Sequence, residues 1–365
     1  MSKIKWTDET WNPIAGCTVI SSGCDNCYAM RMAYRLEAMG LSNYQGTTRK
    51  NASGRTLWTG KINFDEKALL KPLSWKNPRM IFVNSMSDLF HENVPDEWID
   101  KVFAVMAFCP QHTFQILTKR PERMRDYINK KGRNFLIGMA CGEIYYEYHD
   151  ADAVTPRLEA GYKNIDITGW PMSNVWLLVS VEDQKTANER ILYLLNTPAA
   201  VRGVSIEPAL SEIDLECIDD GLRDGCHLTF NALTGMAHDG YESISGIFDN
   251  PDPKLDWVIV GGESGPNARP MHPEWARSLR DQCKAANLPF FFKQWGEWSV
   301  KYDRDKDDPD WRDVPNTKNN NERFINIEGG HGFHGERVCF IKKVGKKKAG
   351  NILDGEVIQQ MPGDV

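Results

Sequence analysis

The sequence predicts an α/β fold: a partial or complete (βα) TIM-type barrel with two inserts and a C-terminal extension. The first observation behind this prediction is a series of short apolar runs of strand length, and the second is the helical pattern between them. The runs lack the polar–apolar alternation of half-exposed strands, which favours parallel strands covered on both faces. The third observation is that every run ends in polar residues, where a barrel active site would form.

Six runs are predicted to be strands. They are RMIFVNSMSD (79–88), HTFQILTKRP (112–121), NVWLLVSVED (174–183), AVRGVSIEP (200–208), LDWVIVGGESG (255–265) and LPFFFKQWG (288–296). Helices are predicted over 94–109 and 272–287, because each segment opens with proline and acidic residues and then spaces apolar residues along one face.

The predicted barrel occupies residues 1–300. Two segments interrupt it, at about 137–173 and 213–254, and both are polar and glycine-rich with little helical or strand periodicity. Segments of this kind are usually functional lids or independent inserts. The tail, 301–365, carries runs of like charge and is predicted to be an extension that packs on the barrel.

The composition narrows the class of protein. The chain of 365 residues has a formal net charge of −6, so it lacks overall basic character, although a local basic groove is compatible with that charge. No apolar run reaches membrane-spanning length, and the N-terminus has no signal-peptide core. Nine cysteines without a secretory signal indicate a reducing compartment, so we expect a cytoplasmic protein without a membrane partner.

Three cysteines cluster in the stretch GCTVISSGCDNCYA, where Cys17, Cys24 and Cys27 follow a C-x6-C-x2-C spacing. Thiolates are soft ligands that suit zinc or iron–sulfur clusters. A zinc site needs a fourth ligand such as His91, whereas three thiolates on a four-iron cluster leave one iron open for a substrate or cofactor. Three unrelated buried cysteines are the third alternative, and the spacing alone leaves all three open.

Polar side chains directly follow each predicted strand. They are Asn84 to Asp88, Thr118 to Arg120, Ser180 to Asp183, Glu207, Gly262 to Ser264, and Lys293 with Gln294. Because the carboxyl ends of parallel strands lie on one side of a barrel, these groups favour a lined cavity that forms the active site.

The segment CDNCYAMRMAYRL resembles the cysteine-aromatic-alanine stretch of radical S-adenosylmethionine (SAM) enzymes. The wider sequence is similar to the phage Gp37/Gp68-like family, also called DUF5131 or the three-Cys-motif proteins. The matching stretches are WTDETWNPIAGC, CDNCYA, IFVNSMSDLFHE, HTFQILTKRPERM, VWLLVSVEDQ, RGVSIEPAL, DWVIVGGESGPNARPM and FFFKQWGEW, which cover most of residues 4–300 in order. The strand-end motifs are similar to those of the spore photoproduct lyase-like branch of radical SAM proteins.

The resemblance implies a barrel of the radical SAM kind, in which Cys17, Cys24 and Cys27 hold a [4Fe–4S] cluster at the mouth. The open iron would chelate SAM, and reductive cleavage of SAM would yield a 5′-deoxyadenosyl radical that abstracts hydrogen from the substrate. The electron would come from an external donor such as a flavodoxin or ferredoxin. One departure is the spacing, since the common radical SAM pattern is C-x3-C-x2-C.

The resemblance also implies a binding site for the methionine end of SAM. Ser85, Ser87 and Asp88 take the position that contacts the amino group, and a carboxylate with hydroxyl groups suits an ammonium ion. Lys119 is expected to pair with the methionine carboxylate.

For the later strands, Ser180 and Glu182 are expected to bind the ribose hydroxyls. The expected catalytic or substrate-contacting residues are Glu207, Glu263 and Lys293. Gly261 and Gly262 are expected to allow close backbone approach near adenine or the substrate.

The expected substrate is a nucleobase, a nucleotide or a DNA-linked group, and an isomerase in phage thymidine DNA hypermodification fits the resemblance; the location would then be the host cytoplasm. Two other functions stay open. One is a non-enzymatic zinc or iron–sulfur module that binds nucleic acid or a partner protein. The other is a metal-dependent hydrolase that uses the strand-end carboxylates Asp88, Glu182, Glu207 and Glu263. The iron and sulfide content of anaerobically purified protein separates these functions.

Overall fold

The computed structural model describes residues 4–148, 158–159, 169–223, 226–238, 243–244, 253–305, 319–328 and 337–364, together with residues 307, 309 and 317. The chain divides into two compact units. The first contains Met1–Val179 and Tyr193–Arg202, and the second contains Ser180–Leu192 and Gly203–Val365. The domain boundaries drawn from the sequence stay a prediction.

Strands and helices alternate along much of the described chain. The strands are β1 (Glu9–Trp11), β2 (Ile14–Ala15), β3 (Thr48–Lys50), β4 (Thr56–Trp58), β5 (Asn63–Phe64), β6 (Met80–Val83), β7 (Thr113–Thr118), β8 (Val175–Val181), β9 (Val201–Ile206), β10 (Ile218–Arg223), β11 (Cys226–Asn231), β12 (Met236–His238), β13 (Ser243–Ile244), β14 (Trp257–Gly261), β15 (Phe290–Gln294), β16 (Trp298–Asp305), β17 (Glu322–Ile325) and β18 (Arg337–Lys343). The α-helices are α1 (Tyr28–Ala38), α2 (Glu66–Leu69), α3 (Asp96–Ala107), α4 (Pro121–Asn129), α5 (Arg133–Tyr148), α6 (Gln184–Leu195), α7 (Pro273–Ala285) and α8 (Lys346–Ala349).

The main sheet confirms the predicted α/β class. Within the described residues, seven strands form it in the order β1-β6-β7-β8-β9-β14-β15. Every pairing with a defined register in this sheet is parallel, as in a partial α/β barrel. All six strands predicted from apolar runs are present, and most of their apolar side chains are buried in the core.

The sequence analysis did not identify β1. This strand has only three residues and pairs in parallel with β6, so that Trp11 lies beside Val83. Its run ETW is too short and too polar to stand out as a buried strand. It matters for the site, because the chain passes through β2 and then directly into the cysteine-containing loop (residues 16–27).

The predicted helices are present with local reasons for their bounds. Helix α3 begins after Pro95, and Asp96 and Glu97 place negative charge at the positive end of the helix dipole. Its apolar face buries Ile99 and Phe103. Helix α7 begins with His272, whose Nδ1 accepts a hydrogen bond from the backbone N–H of Glu274 at 3.2 Å.

Both segments predicted to be irregular contain regular structure. Helix α5 extends through residue 148 into the 137–173 segment, where apolar residues are spread around the helix and hid its period. In the 213–254 segment, β10 to β13 form a four-stranded antiparallel sheet, whose short strands and turns gave no clear alternation. Residues 149–157 and 160–168 of the first segment lie outside the described residues.

The C-terminal region adds a second small sheet and a covering segment. Strands β16, β18 and β17 form an antiparallel sheet in that order. Residues 358–360 run beside β15: the N–H of Phe292 donates to the carbonyl of Ile358 at 2.8 Å, and the N–H of Gln360 donates to that of Phe290 at 3.1 Å. This segment therefore covers the last strand of the main sheet.

Among the described residues, no helix has both the length and the apolar character needed to cross a membrane.

Candidate functional site

The cysteine loop is fixed at its start to the strand ends of the first unit. Gly16 forms a parallel bridge with Ser87, and the Ser87 hydroxyl donates to the carbonyl of Ile14 at 2.9 Å. Gly16 has a φ of +104°, and a Cβ on it would lie 2.0 Å from the carbonyl oxygen of Lys61. Only glycine fits this position, so the loop leaves the sheet along one path.

The three thiols of the loop are free and partly sheltered. Cys24 is buried, whereas Cys17 and Cys27 are half-buried. Cys17 and Cys27 pack against a cluster of buried apolar residues, which are Ala15, Met30, Ala33, Tyr44, Trp58 and Met86. Cys27 is also the residue that precedes helix α1. The helix and its apolar face thus position the last thiol.

The charges around the thiols act on each one differently. Burial raises the pKa of Cys17 to about 12, and Asp88 raises it further while Arg120 opposes the rise. Burial also raises the pKa of Cys27. For Cys24 burial is outweighed by the Lys119 ammonium and by hydrogen bonds from the backbone around Ser21, so its pKa is lowered. Because Cys24 also acts on Cys17 and Cys27, the three thiols share one electrostatic environment.

Arg120, at the end of β7, connects the strand ends to the cysteine loop. Its Nη1 donates to Oδ2 of Asp88 at 3.1 Å and lies 3.8 Å from Sγ of Cys17. Its Nη2 donates to the Thr18 hydroxyl at 2.5 Å, and its Nε donates to Glu92 at 2.7 Å. One guanidinium therefore binds two carboxylates and the residue that follows the first thiol. It also brings positive charge to that thiol.

Asp88 is a buried carboxylate with both oxygens engaged. Its Oδ1 accepts from the N–H of Phe90 at 3.0 Å and from the Thr118 hydroxyl at 2.7 Å. Its Oδ2 accepts from the N–H of Lys119 at 3.0 Å and from Arg120. These contacts join the ends of β6 and β7. They give Asp88 a structural role, and its expected contact with an ammonium group stays a prediction.

His91 lies beside the loop, but both of its ring nitrogens are engaged. Nδ1 accepts from the N–H of Asn93 at 3.1 Å, which leaves the proton on Nε2 to donate to the Thr18 hydroxyl at 3.1 Å. Burial lowers the pKa of His91, and the nearby Arg120 lowers it further, so the ring is neutral near pH 7. These contacts do not favour His91 as the fourth ligand of a zinc site.

The turn after β6 contains a polar side chain, Asn84, that the sequence analysis counted among the strand-end groups without giving it a role. Asn84 is 3% exposed and has a φ of 56°, and its N–H donates to the carbonyl of Trp11 at 2.7 Å. Neither Oδ1 nor Nδ2 of Asn84 has a partner among the described residues. The next residues are anchored instead, since the Ser85 hydroxyl and the N–H of Met86 both donate to Oδ1 of Asn12 at 3.0 Å. A buried, unpartnered amide of this kind is a candidate ligand contact.

The charged site residues expected in the second unit each form an ion pair. Glu182 is fully buried and accepts from Arg190 at 3.1 Å, and Arg190 also donates to the carbonyl of Ser180 at 2.6 Å. Glu263 forms a bidentate pair with Arg269, at 2.6 and 3.0 Å. The arginines were not identified from the sequence, although Arg190 lies eight residues after Glu182 and Arg269 six after Glu263.

Glu207 and Lys293 lie together at strand ends of the second unit. Nζ of Lys293 donates to Oε2 of Glu207 at 2.9 Å, and the Ser205 hydroxyl donates to the same oxygen at 3.2 Å. The side chains are 15% and 17% exposed, more than Glu182 and Arg190. This pair therefore combines a carboxylate and an ammonium group within reach of solvent.

Contacts within the protein explain why glycine is needed at the end of β14. A Cβ on Gly261 would lie 2.6 Å from Oε1 of Glu207, and one on Gly262 would lie 2.1 Å from the carbonyl oxygen of Trp295. Gly296 has a φ of +79°, and a Cβ on it would lie 2.0 Å from the carbonyl oxygen of Glu263. Close approach of the backbone is present at Gly262, where the neighbour is the carbonyl of Trp295, and the expected approach of adenine or a substrate stays a prediction.

The donor set of the cysteine loop can be compared with what an iron–sulfur cluster requires. No group of three or more His, Cys, Asp or Glu side chains in the described part of the chain has a metal-binding arrangement as it stands. The chemistry of the loop does fit: three free thiols lie in one loop, Lys119 helps to lower the pKa of Cys24, and Arg120 partly opposes the rise in the pKa of Cys17. Cys17, Cys24 and Cys27 are the residues that would hold such a group.

Comparison with known proteins gives a family and no named relative. A family model described as "Protein of unknown function (DUF5131)" matches residues 1–362. No curated protein and no solved structure matches the chain. Because the family model spans nearly the whole sequence, the chain belongs to the DUF5131 family.

Proposed function

We propose that this protein is a radical SAM enzyme that acts on a nucleobase, a nucleotide or a DNA-linked group. An isomerase in phage thymidine DNA hypermodification is the specific form that we favour. The observation that carries the proposal is the cysteine loop, with three free thiols under the positive charges of Lys119 and Arg120, next to the carboxyl ends of parallel strands. A [4Fe–4S] cluster bound there would supply the one-electron chemistry that cleaves SAM.

The chain's own residues would then have distinct tasks. Cys17, Cys24 and Cys27 would hold the cluster and leave one position for SAM. Arg120 keeps positive charge beside Cys17 and holds Thr18, so it fixes the first part of the loop. Lys119 favours the thiolate form of Cys24, and it is the residue proposed to pair with the methionine carboxylate of SAM.

Asn84 is the best candidate for a neutral contact to the polar end of SAM. Its amide presents one acceptor and two donors, which suits a zwitterionic amino-acid group. Leaving such an amide buried without a partner costs about 1–3 kcal/mol, so ligand binding there would remove an existing penalty. Asn84→Gly keeps the left-handed backbone and removes the amide, and we expect it to weaken SAM binding at least fivefold, measured by calorimetry on cluster-containing protein.

In the second unit, the Glu207–Lys293 pair is the proposed catalytic or substrate-contacting group. Its carboxylate and ammonium offer an acceptor and a donor side by side, as an imide or amide edge of a base requires. Glu263, Ser180 and Glu182 stay in the proposal as expected contacts to substrate and ribose. A flavodoxin or ferredoxin is the proposed electron donor.

Iron analysis tests the proposal most directly. Anaerobically purified protein should contain about four irons and four sulfides per chain and should consume SAM after reduction. Cys17→Ala, Cys24→Ala and Cys27→Ala should each lose most of the iron while keeping their melting temperature. The matched control is Cys283→Ala, because Cys283 is a fully buried thiol on helix α7. Colourless protein with one zinc per chain, or equal iron loss in the control, would refute the proposal.

A further inference from the structure

One face of the first unit concentrates positive charge in an acidic protein. Residues 28–61 contain six basic side chains and only one acidic one, Glu37, which gives a local formal charge of +5 against −6 for the whole chain. These residues form helix α1 and the β3–β4 hairpin, which pack together. We call this surface the α1–hairpin face; its basic residues are Arg31, Arg35, Arg49, Lys50, Arg55 and Lys61.

Most cations of the α1–hairpin face have no acidic partner. Arg35, Arg49 and Lys50 are exposed and Arg31 is half-exposed, and none of the four forms an ion pair within the described part of the chain. Other arginines of the described chain are neutralised by carboxylates; they include Arg79, Arg120, Arg123, Arg133, Arg190, Arg269, Arg277, Arg280 and Arg337. Within the described residues, three of the four arginines of this face, Arg31, Arg35 and Arg49, therefore lack a carboxylate partner, whereas most other arginines have one.

Aromatic side chains lie between these cations. Tyr28 is 61% exposed and Tyr34 is 38% exposed, although large aromatic side chains are usually buried. Nζ of Lys50 lies 4.6 Å from the ring centre of Tyr34 and joins the hairpin to the helix. On helix α1, Arg31 and Arg35 are four residues apart and lie side by side on the same surface.

The α1–hairpin face continues into the cysteine loop. Nη2 of Arg55, on the hairpin, donates to the carbonyl oxygen of Asp25 at 2.5 Å and to its carboxylate at 3.2 Å. Asp25 lies between Cys24 and Cys27, and Tyr28 follows Cys27 directly. A ligand that covers this face therefore also reaches the edge of the loop.

We infer that the α1–hairpin face binds the sugar–phosphate backbone of a nucleic-acid strand. Planar guanidinium groups form bidentate contacts with phosphate, and exposed tyrosine rings stack on bases. An acidic protein is the competing occupant. Nucleic acid fits better because the unpaired cations are mostly arginines and the exposed rings lie among them. Binding on this face does not depend on SAM chemistry. The inference rests on the proposed function in one respect: the bound strand would carry the DNA-linked group on which the enzyme acts.

The test measures binding of a fluorescently labelled single-stranded 20-mer to the full chain by anisotropy, between 50 and 200 mM salt. We expect Arg35→Gln/Arg49→Gln to weaken binding about tenfold or more at 50 mM salt. The slope of log affinity against log salt should fall by about 1.4, at about 0.7 for each lost phosphate contact on a single strand. Arg35→Lys/Arg49→Lys keeps the charge and should retain most of that slope. Tyr28→Ala should weaken binding about fivefold without changing the slope.

The matched control removes the same charge from another surface. Lys347→Gln/Lys348→Gln neutralises two exposed lysines of helix α8 and should leave DNA affinity unchanged. Equal losses in the two double variants, or no binding by the wild type at 50 mM salt, would overturn the inference. It would also fail if the arginine variant bound DNA normally but were no longer reduced by an acidic flavodoxin. Iron content is measured separately, so failure of the proposed function is recognised independently.

Discussion

The strand ends of the two units use charge in different ways. In the first unit, one carboxylate and one guanidinium are connected to the cysteine loop, since Arg120 contacts Asp88, Thr18 and Cys17. In the second unit, each expected site carboxylate has its own cation, as in the pairs Glu182–Arg190, Glu207–Lys293 and Glu263–Arg269. The first arrangement affects the ionisation of thiols, whereas the second neutralises charge locally.

The difference shows that polar strand ends do not all have one purpose. Glu182 and Arg190 are almost completely buried, as expected for a pair that holds a strand and a helix together. Glu207 and Lys293 are more exposed and remain accessible to a substrate. Carboxylates neutralised by arginine or lysine are also poor metal ligands, which argues against the hydrolase alternative in the second unit.

The largest expected effect tests whether the buried pair of the second unit is structural. Glu182→Ala leaves Arg190 buried without its counter-charge, so we expect the free energy of unfolding to fall by about 3–5 kcal/mol. Glu182→Leu/Arg190→Met should recover most of this loss, because both charges are removed. Urea unfolding measures both variants. A loss below about 1 kcal/mol in the single variant would show that the pair contributes little.

The next effect tests the connection in the first unit. Arg120→Met should lower the free energy of unfolding by about 2–3 kcal/mol, less than for Glu182, because Asp88 keeps three other donors. It should also reduce bound iron severalfold, whereas Arg190→Met should leave bound iron unchanged. Arg120→Lys should retain part of the iron. If Arg120→Met and Arg190→Met bound equal amounts of iron, the comparison between the units would break down.

A third effect is specific to pH and lies in the second unit. Burial lowers the pKa of His272 to about 4; the nearby Arg337 and Arg277 act in the same direction and Asp303 opposes them. The unfolded state therefore takes up the proton first, and stability falls as the pH drops from about 6.5 towards 4. We expect a loss of about 2 kcal/mol between pH 7.5 and pH 5 from this group.

His272→Asn is the appropriate variant for that test. Asparagine can cap helix α7 as His272 does, but it does not titrate. The pH dependence of its unfolding free energy should be flatter than that of the wild type by about 2 kcal/mol over the same interval. An unchanged dependence would mean that His272 does not carry the effect.

The smallest expected effect on stability concerns the accessible pair. Lys293→Met should lower the free energy of unfolding by only about 1 kcal/mol, since Glu207 keeps the Ser205 hydroxyl and is partly solvated. Under the proposed function, the same variant should lose substrate turnover while keeping its iron and SAM binding. Normal turnover in Lys293→Met would remove the pair from the proposed catalytic residues.

Much of the fold could be predicted from the sequence because buried parallel strands leave a strong signal. Runs such as VWLLVSV and DWVIVGG have few alternatives to a covered strand, and the structure has strands there. The signal failed where it was short or mixed. Strand β1 has three residues, helix α5 has apolar residues on every side, and strands β10 to β13 belong to a small sheet with turns between them.

The site could be predicted less well, because residue type does not reveal the partner. The motif at 85–88 predicted a contact with the amino group of SAM but did not reveal that Asp88 accepts hydrogen bonds from four donors at two strand ends. GGESG predicted close backbone approach near adenine or a substrate, and in the structure Gly262 makes room for the carbonyl of Trp295. Asn84 and Thr18 are ordinary residues in the sequence. They become notable only when an unpartnered amide and a shared hydroxyl are seen in three dimensions.

The segment 358–360 has a practical consequence for making this protein. Besides the two backbone hydrogen bonds to β15, the carbonyl of Gln360 accepts from Nε1 of Trp257 at 2.9 Å, and its side chain accepts from the N–H of Phe290 at 3.0 Å. A chain shortened before Ile358 would expose the edge of an apolar strand, which is a common template for aggregation. Shortened forms of the protein should therefore keep residues 358–360. Precipitation of a form that lacks them would reflect the lost edge cover and would say nothing about activity.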